Sequence, residues 1–250
     1  MKRVRKTDMP TACMVLMSLV ALTLSPNSAW SGSKNLDLAL CAPDQHTFTL
    51  DITNPFLPLS PPGRTWVLVG EEDGEPIGLQ ITVLNQTEMF YGGPQMVKTR
   101  VVEEFEWEDT DLDGVIDAGE GFIEISRNYF AQTEEGTVCY FGESVQDCED
   151  NQCFPGGGSW RADDNASTAP GIFMPAHPTP GMTYPQEVAP GVAEDMAKIV
   201  GSGPDSVPAG DFDEIVRTEE RNPLDGDRGY KSYARNVGPI RDATLELISY

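Results

Sequence analysis

The sequence predicts an all-β protein, an antiparallel meander of about ten strands forming a strongly curved sheet, half-barrel or sandwich. Three observations carry that prediction. Apolar and polar residues alternate with period two in many short runs. Clusters of Gly, Pro, Asp and Asn separate those runs, drawn from 24 glycines and 20 prolines in 250 residues. No long helix can be placed anywhere in the chain, and no internal repeat is visible.

The strands follow in order. Thr47 to Ile52 reads as a short strand, and Asn54-Pro55-Phe56-Leu57-Pro58-Leu59 as an extended, proline-restricted segment. Its apolar side chains are expected to lie across the edge of the core. Thr65 to Val69 and Ile77 to Leu84 are strands joined by the Glu72-Asp73-Gly74-Glu75 turn. Met96 to Trp107 separates into two faces, Val101, Phe105 and Trp107 on one and Val102, Glu104, Glu106 and Glu108 on the other. Phe122 to Phe130 alternates again, and Thr137 to Phe141 follows the Glu134-Glu135-Gly136 turn. Pro170 to Pro190 is too rich in proline for a helix and reads as an extended connection. Ala193 to Val200 fits a short helix or a strand, and the Val207-Pro208-Ala209-Gly210 turn after it favours strand; Phe212 to Thr218, Gly229 to Ala234 and Thr244 to Ser249 complete the set. One β domain over residues 47–250 is expected, because neither half alone holds enough apolar strand for a core.

The N-terminus predicts export. Lys2, Arg3, Arg5 and Lys6 precede an apolar run from Ala12 to Leu24, with small residues before a cleavage point near position 29. Residues 1–29 therefore read as a signal peptide, its apolar run of 13 residues being too short to span a bilayer comfortably, and residues 30–46 as a flexible segment. Removing the signal takes four basic residues and one acid from the 17 and 40 of the whole chain, leaving a net charge of −26. Such a balance repels nucleic acid and anionic membrane surfaces and favours cations as partners. Four cysteines remain, Cys41, Cys139, Cys148 and Cys153. An even count in an exported chain predicts two disulfides. The short turn between Cys148 and Cys153 favours their pairing, which leaves Cys41 for Cys139. Zinc is a poor rival, since His46 and His177 are the only histidines and neither sits at ligand spacing.

One stretch speaks for chemistry. Residues 109–120, Asp-Thr-Asp-Leu-Asp-Gly-Val-Ile-Asp-Ala-Gly-Glu, fit the twelve-residue calcium loop at each specified position. Calcium takes six to eight oxygens, so a binder must converge many of them on one point. Asp109, Asp111 and Asp113 would supply carboxylates, Val115 its carbonyl, Asp117 a direct or water-bridged oxygen, and Glu120 two oxygens. Gly114 would allow the sharp turn between the halves. The predicted flanks are strands, and no second loop occurs, so a structural ion in a β-hairpin is expected rather than a paired-helix sensor.

Enzyme signatures are thin. There is no nucleophile elbow, P-loop, zinc-protease helix or dinucleotide fingerprint. His177 with Ser159 would be an isolated pair, and Glu187, Glu194 and Asp195 form carboxylate pairs of a kind that an acidic chain makes unavoidable. Asn85-Gln86-Thr87 and Asn165-Ala166-Ser167 fit glycosylation acceptors. Trp66, Phe105, Trp107, Tyr129, Phe130, Tyr140, Phe141 and Trp160 are expected to be core, with an apolar small molecule inside a curved sheet as the alternative.

Several stretches together resemble a family of uncharacterised secreted bacterial proteins. They are Asn54-Pro55-Phe56-Leu57-Pro58-Leu59 with Thr65-Trp66-Val67, Asn128-Tyr129-Phe130-Ala131, Tyr140-Phe141-Gly142-Glu143 and Pro170-Gly171-Ile172-Phe173-Met174-Pro175. Residues 186–195 and Tyr233-Ala234-Arg235-Asn236-Val237-Gly238 continue the likeness, which covers most of residues 50–245. The resemblance implies no particular activity. It does imply that residues 109–120 are an insertion, in place of a short hairpin turn. That loop itself resembles EF-hand and dockerin-type loops in its ligand pattern alone. The expectation is thus an exported calcium-binding protein serving in binding or envelope architecture. The alternatives are a periplasmic carrier of an apolar ligand and an extracellular hydrolase.

Overall fold

The computed structural model describes residues 34–92 and 95–250. The signal-peptide reading therefore lies outside the described residues. Strands account for nearly all regular structure: β1 (Lys34–Asn35), β2 (Phe48–Thr49), β3 (Thr65–Glu72), β4 (Glu75–Gly92), β5 (Gln95–Glu108), β6 (Phe122–Thr133), β7 (Val138–Glu149), β8 (Gln152–Pro155), β9 (Trp160–Arg161), β10 (Gly171–Met174), β11 (Met182–Pro185), β12 (Met196–Val207), β13 (Gly210–Arg221), β14 (Arg228–Ala234), β15 (Gly238–Asp242) and β16 (Leu245–Ser249). The six strands beyond the expected ten are β1, the short β8 and β9, β10 and β11 from the proline-rich connection, and β15.

These strands build one sheet in the order β1-β11-β12-β13-β14-β15-β16-β3-β4-β5-β6-β7-β10, with β2 on β6 and β8 and β9 on β7. All pairs are antiparallel except β1 with β11. The longest ladders are the β4–β5 and β12–β13 hairpins, each carrying bulges that bend it. A twisted sheet of this width must curl, and it does so without closing into a barrel. Its ends nevertheless approach. A Cβ on Gly171 in β10 would stand 1.9 Å from the carbonyl oxygen of Gln186, just past β11, so only glycine fits that contact.

The concave side holds most of the core. Leu68, Leu79, Ile81, Val83 and Val102 from one half pack in one cluster with Val216, Tyr233 and Leu247 from the other. The proline-restricted segment does more than cover the edge: Ile52, Phe56, Leu57 and Leu59 enter this core. Asn54, 1% exposed, pins it there. Its Oδ1 accepts from the Phe56 and Leu57 amides, and its Nδ2 donates to the carbonyls of Gly136 and Pro175. A second cluster lies under the N-terminal segment, with Cys41, Phe90, Cys139, Phe141, Ile172 and Tyr184 among its members.

That N-terminal segment is not the loose leader expected for residues 30–46. From Lys34 onward it pairs with β11, makes a short 3₁₀ turn at Leu38–Cys41, and ends in a disulfide. The turn is capped by Asp37, whose carboxylate accepts the Ala39 amide. Two disulfides are present, Cys41–Cys139 and Cys148–Cys153, the pairing favoured from the sequence. They place the folded chain in an oxidising environment. The first joins residues 98 apart and the second residues 5 apart. Loop-closure entropy grows with the enclosed length. Replacing Cys41 and Cys139 by serine should therefore lower unfolding free energy by about 2–5 kcal/mol in urea titrations, and replacing Cys148 and Cys153 should lower it less.

Candidate metal loop and the acidic interior

The hairpin between β5 and β6 carries residues 109–120. Glu108 donates its amide to the Gly121 carbonyl at 2.8 Å, which closes the hairpin, and Asp109 donates to Pro76 at 3.1 Å, which ties the loop to β4. Gly114 has φ +76°, and a Cβ there would meet Ile248 Cδ1 at 2.4 Å and Val67 Cγ1 at 2.9 Å. Val67 and Ile248 flank the inward-facing Leu68 and Leu247 in sequence, so the loop lies back over the convex face of β3 and β16.

The carboxylates converge in part. Oxygens of Asp109, Asp111 and Asp113 all lie within 4.8 Å of one another. Asp109 is fully buried and accepts the amides of Asp113 and Gly114, while Asp111 and Asp113 stay exposed. Burial pushes the Asp109 carboxyl above its ordinary range, against the pull of those two amides. Asp113 also accepts the Val115 amide. Glu120, 5% exposed, stands outside the convergent trio. Its two oxygens accept from the amides of Thr110 and Asp117 and from the Thr110 hydroxyl, and these amides hold its carboxyl below the usual value. Thus Glu120 braces both ends of the loop, Asp117 meets it through its backbone, and Val115 and Asp117 are exposed. The donor set is all oxygen and strongly anionic, which fits a hard divalent cation such as calcium rather than a softer metal.

A second acidic feature was not legible in the sequence. On β5 Phe105 and Trp107 stack on the side of the sheet that carries Val67 and Val69, where Trp107 lies over Gly78 and is only 1% exposed. Glu104 and Glu106 therefore point inward, opposite Ile81 and Leu79. Glu124 pairs with Glu106, and Glu143 with Asn128, carrying the acidic lining across β6 and β7. The far wall adds Glu220 and Asp242 around Lys231, whose Nζ lies 3.0 Å from Asp242 and 3.7 Å from Glu220. Glu187 and Asp195 join this group, whereas Glu194 caps the Gly191 turn. Only the first two of those three acids meet in the fold.

Burial, more than charge crowding, sets the protonation of this lining. Burial, reinforced by neighbouring carboxylates, pushes Glu106 and Glu187 up to about 8. Burial pushes Glu104 and Glu143 up to about 7, against the pull of Lys231 on the first and of the Tyr140 hydroxyl on the second. Burial alone would lower Lys231, but Asp242 and Glu220 hold it well above its usual value.

The remaining candidates separate. Ser159 Oγ accepts the Val145 amide, while His177 is exposed in a cleft lined by Phe56, Asp213, Glu214 and Arg235. The hydrogen bonds of the described residues do not join these two side chains. The aromatic rings pack on one another in separate groups. Tyr140 is shared by Phe130, Phe173 and Trp160, and Phe141 by Phe48 and Phe90. Comparisons with protein-family models, with curated proteins and with solved structures find no match.

Two outcomes follow from this geometry. Gly114→Ala should cost about 1–3 kcal/mol of stability in urea, through its positive φ and its contact with Ile248. The carboxyl groups of the interior have folded-state values above the ordinary 4.5. The native state then holds more protons than the unfolded chain between 4.5 and about 8, so stability is full below that window and falls as pH rises through it. Melting temperatures should drop from about pH 5 to about pH 9, and Glu106→Gln or Glu187→Gln should flatten that slope.

Proposed function

We propose that this is an exported β protein that binds one calcium ion in the 109–120 loop, the ion serving to hold the β5–β6 hairpin against the convex face. The observation that carries the reading is the convergence of Asp109, Asp111 and Asp113 on one point, within a loop that matches the calcium pattern throughout. The chain's own residues prepare the site. Gly114 permits the turn, the Gly114 and Asp113 amides orient Asp109, and Glu120 waits on the opposite strand of the loop with both oxygens facing its backbone. A bound calcium ion would neutralise these crowded carboxylates and cross-link the two sides of the loop.

The signal-like N-terminus and the disulfides support a periplasmic or extracellular setting, where calcium is available and thiols are oxidised. A single loop between strands suits stability better than switching. The role we infer is therefore a binding or envelope-associated module whose calcium is structural. The ring-on-ring packing of the aromatic residues lends no support to a lipid carrier, and the separation of Ser159 from His177 lends none to a triad hydrolase.

Isothermal titration of the purified protein with calcium is the test. The expected result is one site with a dissociation constant of about 10⁻⁴–10⁻³ M. At calcium a hundredfold above that constant, the fold should gain about 2.7 kcal/mol. Glu120→Gln should weaken binding and also lower the calcium-free melt, because it removes an acceptor for a loop amide, whereas Asp111→Asn, at an exposed position, should weaken binding and leave that melt in place. No heat of binding, or an unchanged variant, would overturn the assignment.

A further inference from the structure

The concave wall of the sheet carries more acidic groups than its own cation can pair with, and a cleft of about 530 Å³ beside it is lined by Glu72, Asp195, Glu220, Asn222 and Asp227 among others. Arg228 also borders that cleft, but its guanidinium is engaged with Glu219 at 3.1 Å. Among the described residues, Lys231 is the cation that the interior carboxylates share, and it is already paired with Asp242 and Glu220. We propose that this interior is a binding site for an elongated organic polycation, a linear polyamine, which enters by the cleft and lies along Asp195 and Glu220.

Charge alone would not make a site. The second observation is a pair of buried acceptors with nothing to accept from. Gln186 is only 5% exposed; its Nε2 donates to Glu220 Oε1 at 3.2 Å, while its Oε1 has no partner. The Oδ1 of Asp195 is likewise buried and unpartnered. The two residues are adjacent, since the Gln186 amide donates to the Asp195 carbonyl at 2.7 Å. Leaving a buried acceptor unsatisfied is costly, and an ammonium group, with only donors, is the complement that both require.

The geometry favours an organic cation over a bare ion. A metal needs several oxygens within one coordination sphere. Among the described residues, two groups of three His, Asp or Glu donors approach that closely, Asp109 with Asp111 and Asp113, and His46 with Glu134 and Glu135. The interior carboxylates form neither group. They are spread over β5, β6, β7, β13 and β15, and amines separated by methylene links match such a spread.

Titration of the full chain with spermidine, in millimolar calcium at about 0.15 M ionic strength where exposed charges are screened, tests the proposal. Saturable one-to-one binding that survives equimolar magnesium is expected. Glu220→Gln with Asp195→Asn should weaken it at least about tenfold. Gln186→Leu keeps the charge and the volume but removes the buried amide, and it should also weaken binding. Asp211→Asn with Asp213→Asn, at the opposite end of β13, removes two exposed acids and should leave binding unchanged. Absence of saturable heat, or an equal loss from the exposed pair, would overturn the proposal. The calcium loop is untouched by these changes, so the result stands apart from the calcium assignment.

Discussion

Lys231 is the electrostatic centre of the molecule. It reaches Glu220 on the preceding strand and Asp242 on the following one, and its charge is felt by Glu104 from across the curl. One ammonium cannot balance so many carboxylates where water is scarce. Burial first, and neighbouring carboxylates second, make the wall hold protons, with Glu104 and Glu143 pushed up to about 7 and Glu106 and Glu187 to about 8. The interior thus divides in two. One part is filled by the Ile52–Leu59 segment and is apolar, and the other is lined with acids and opens to solvent through the cleft beside Asp195.

That division depends on how the sheet is held in its curl. A wide sheet with free ends would expose two edges to solvent and to other chains. Here the ends are brought together and covered. β1 pairs alongside β11, the Leu38–Cys41 turn follows it, and the Cys41–Cys139 bond fastens that turn to β7, next to β10. Gly171 allows the closest backbone approach between the two ends. A short covalent tie and a short strand do together what a continuous hydrogen-bond ladder does in a closed barrel.

The 109–120 loop acts on the other side of the sheet. It rests on Val67 and Ile248, whereas the acids of β5 and β6 face the concavity, so the two acidic features are separated by the thickness of one sheet. Neutralising the loop would steady the outside of the curl without touching the interior. The calcium proposed for one face and the polycation proposed for the other are compatible with a single acidic chain, and each answers to a different test.

Much of this was local and therefore readable. Alternation, turn residues and the proline-restricted segment are properties of neighbouring residues, and they foretold the strands and the all-β class. The ligand pattern of residues 109–120 is equally local, because one curled loop brings Asp109, Asp111 and Asp113 together. Cysteine spacing led to the Cys148–Cys153 hairpin for the same reason, and the longer pair followed by elimination. Alternation, however, separates the two faces of a strand without saying which one turns inward. On β5 both faces are covered: Trp107 is buried on the convex side, while the curl turns Glu104 and Glu106 toward the concave core. The docking of Lys34 to Cys41, and the meeting of Glu187, Asp195 and Glu220 around Gln186, likewise arise from contacts between residues far apart in the chain. Those contacts exist only once the sheet has bent, and the bend belongs to the whole set of strands rather than to any one of them.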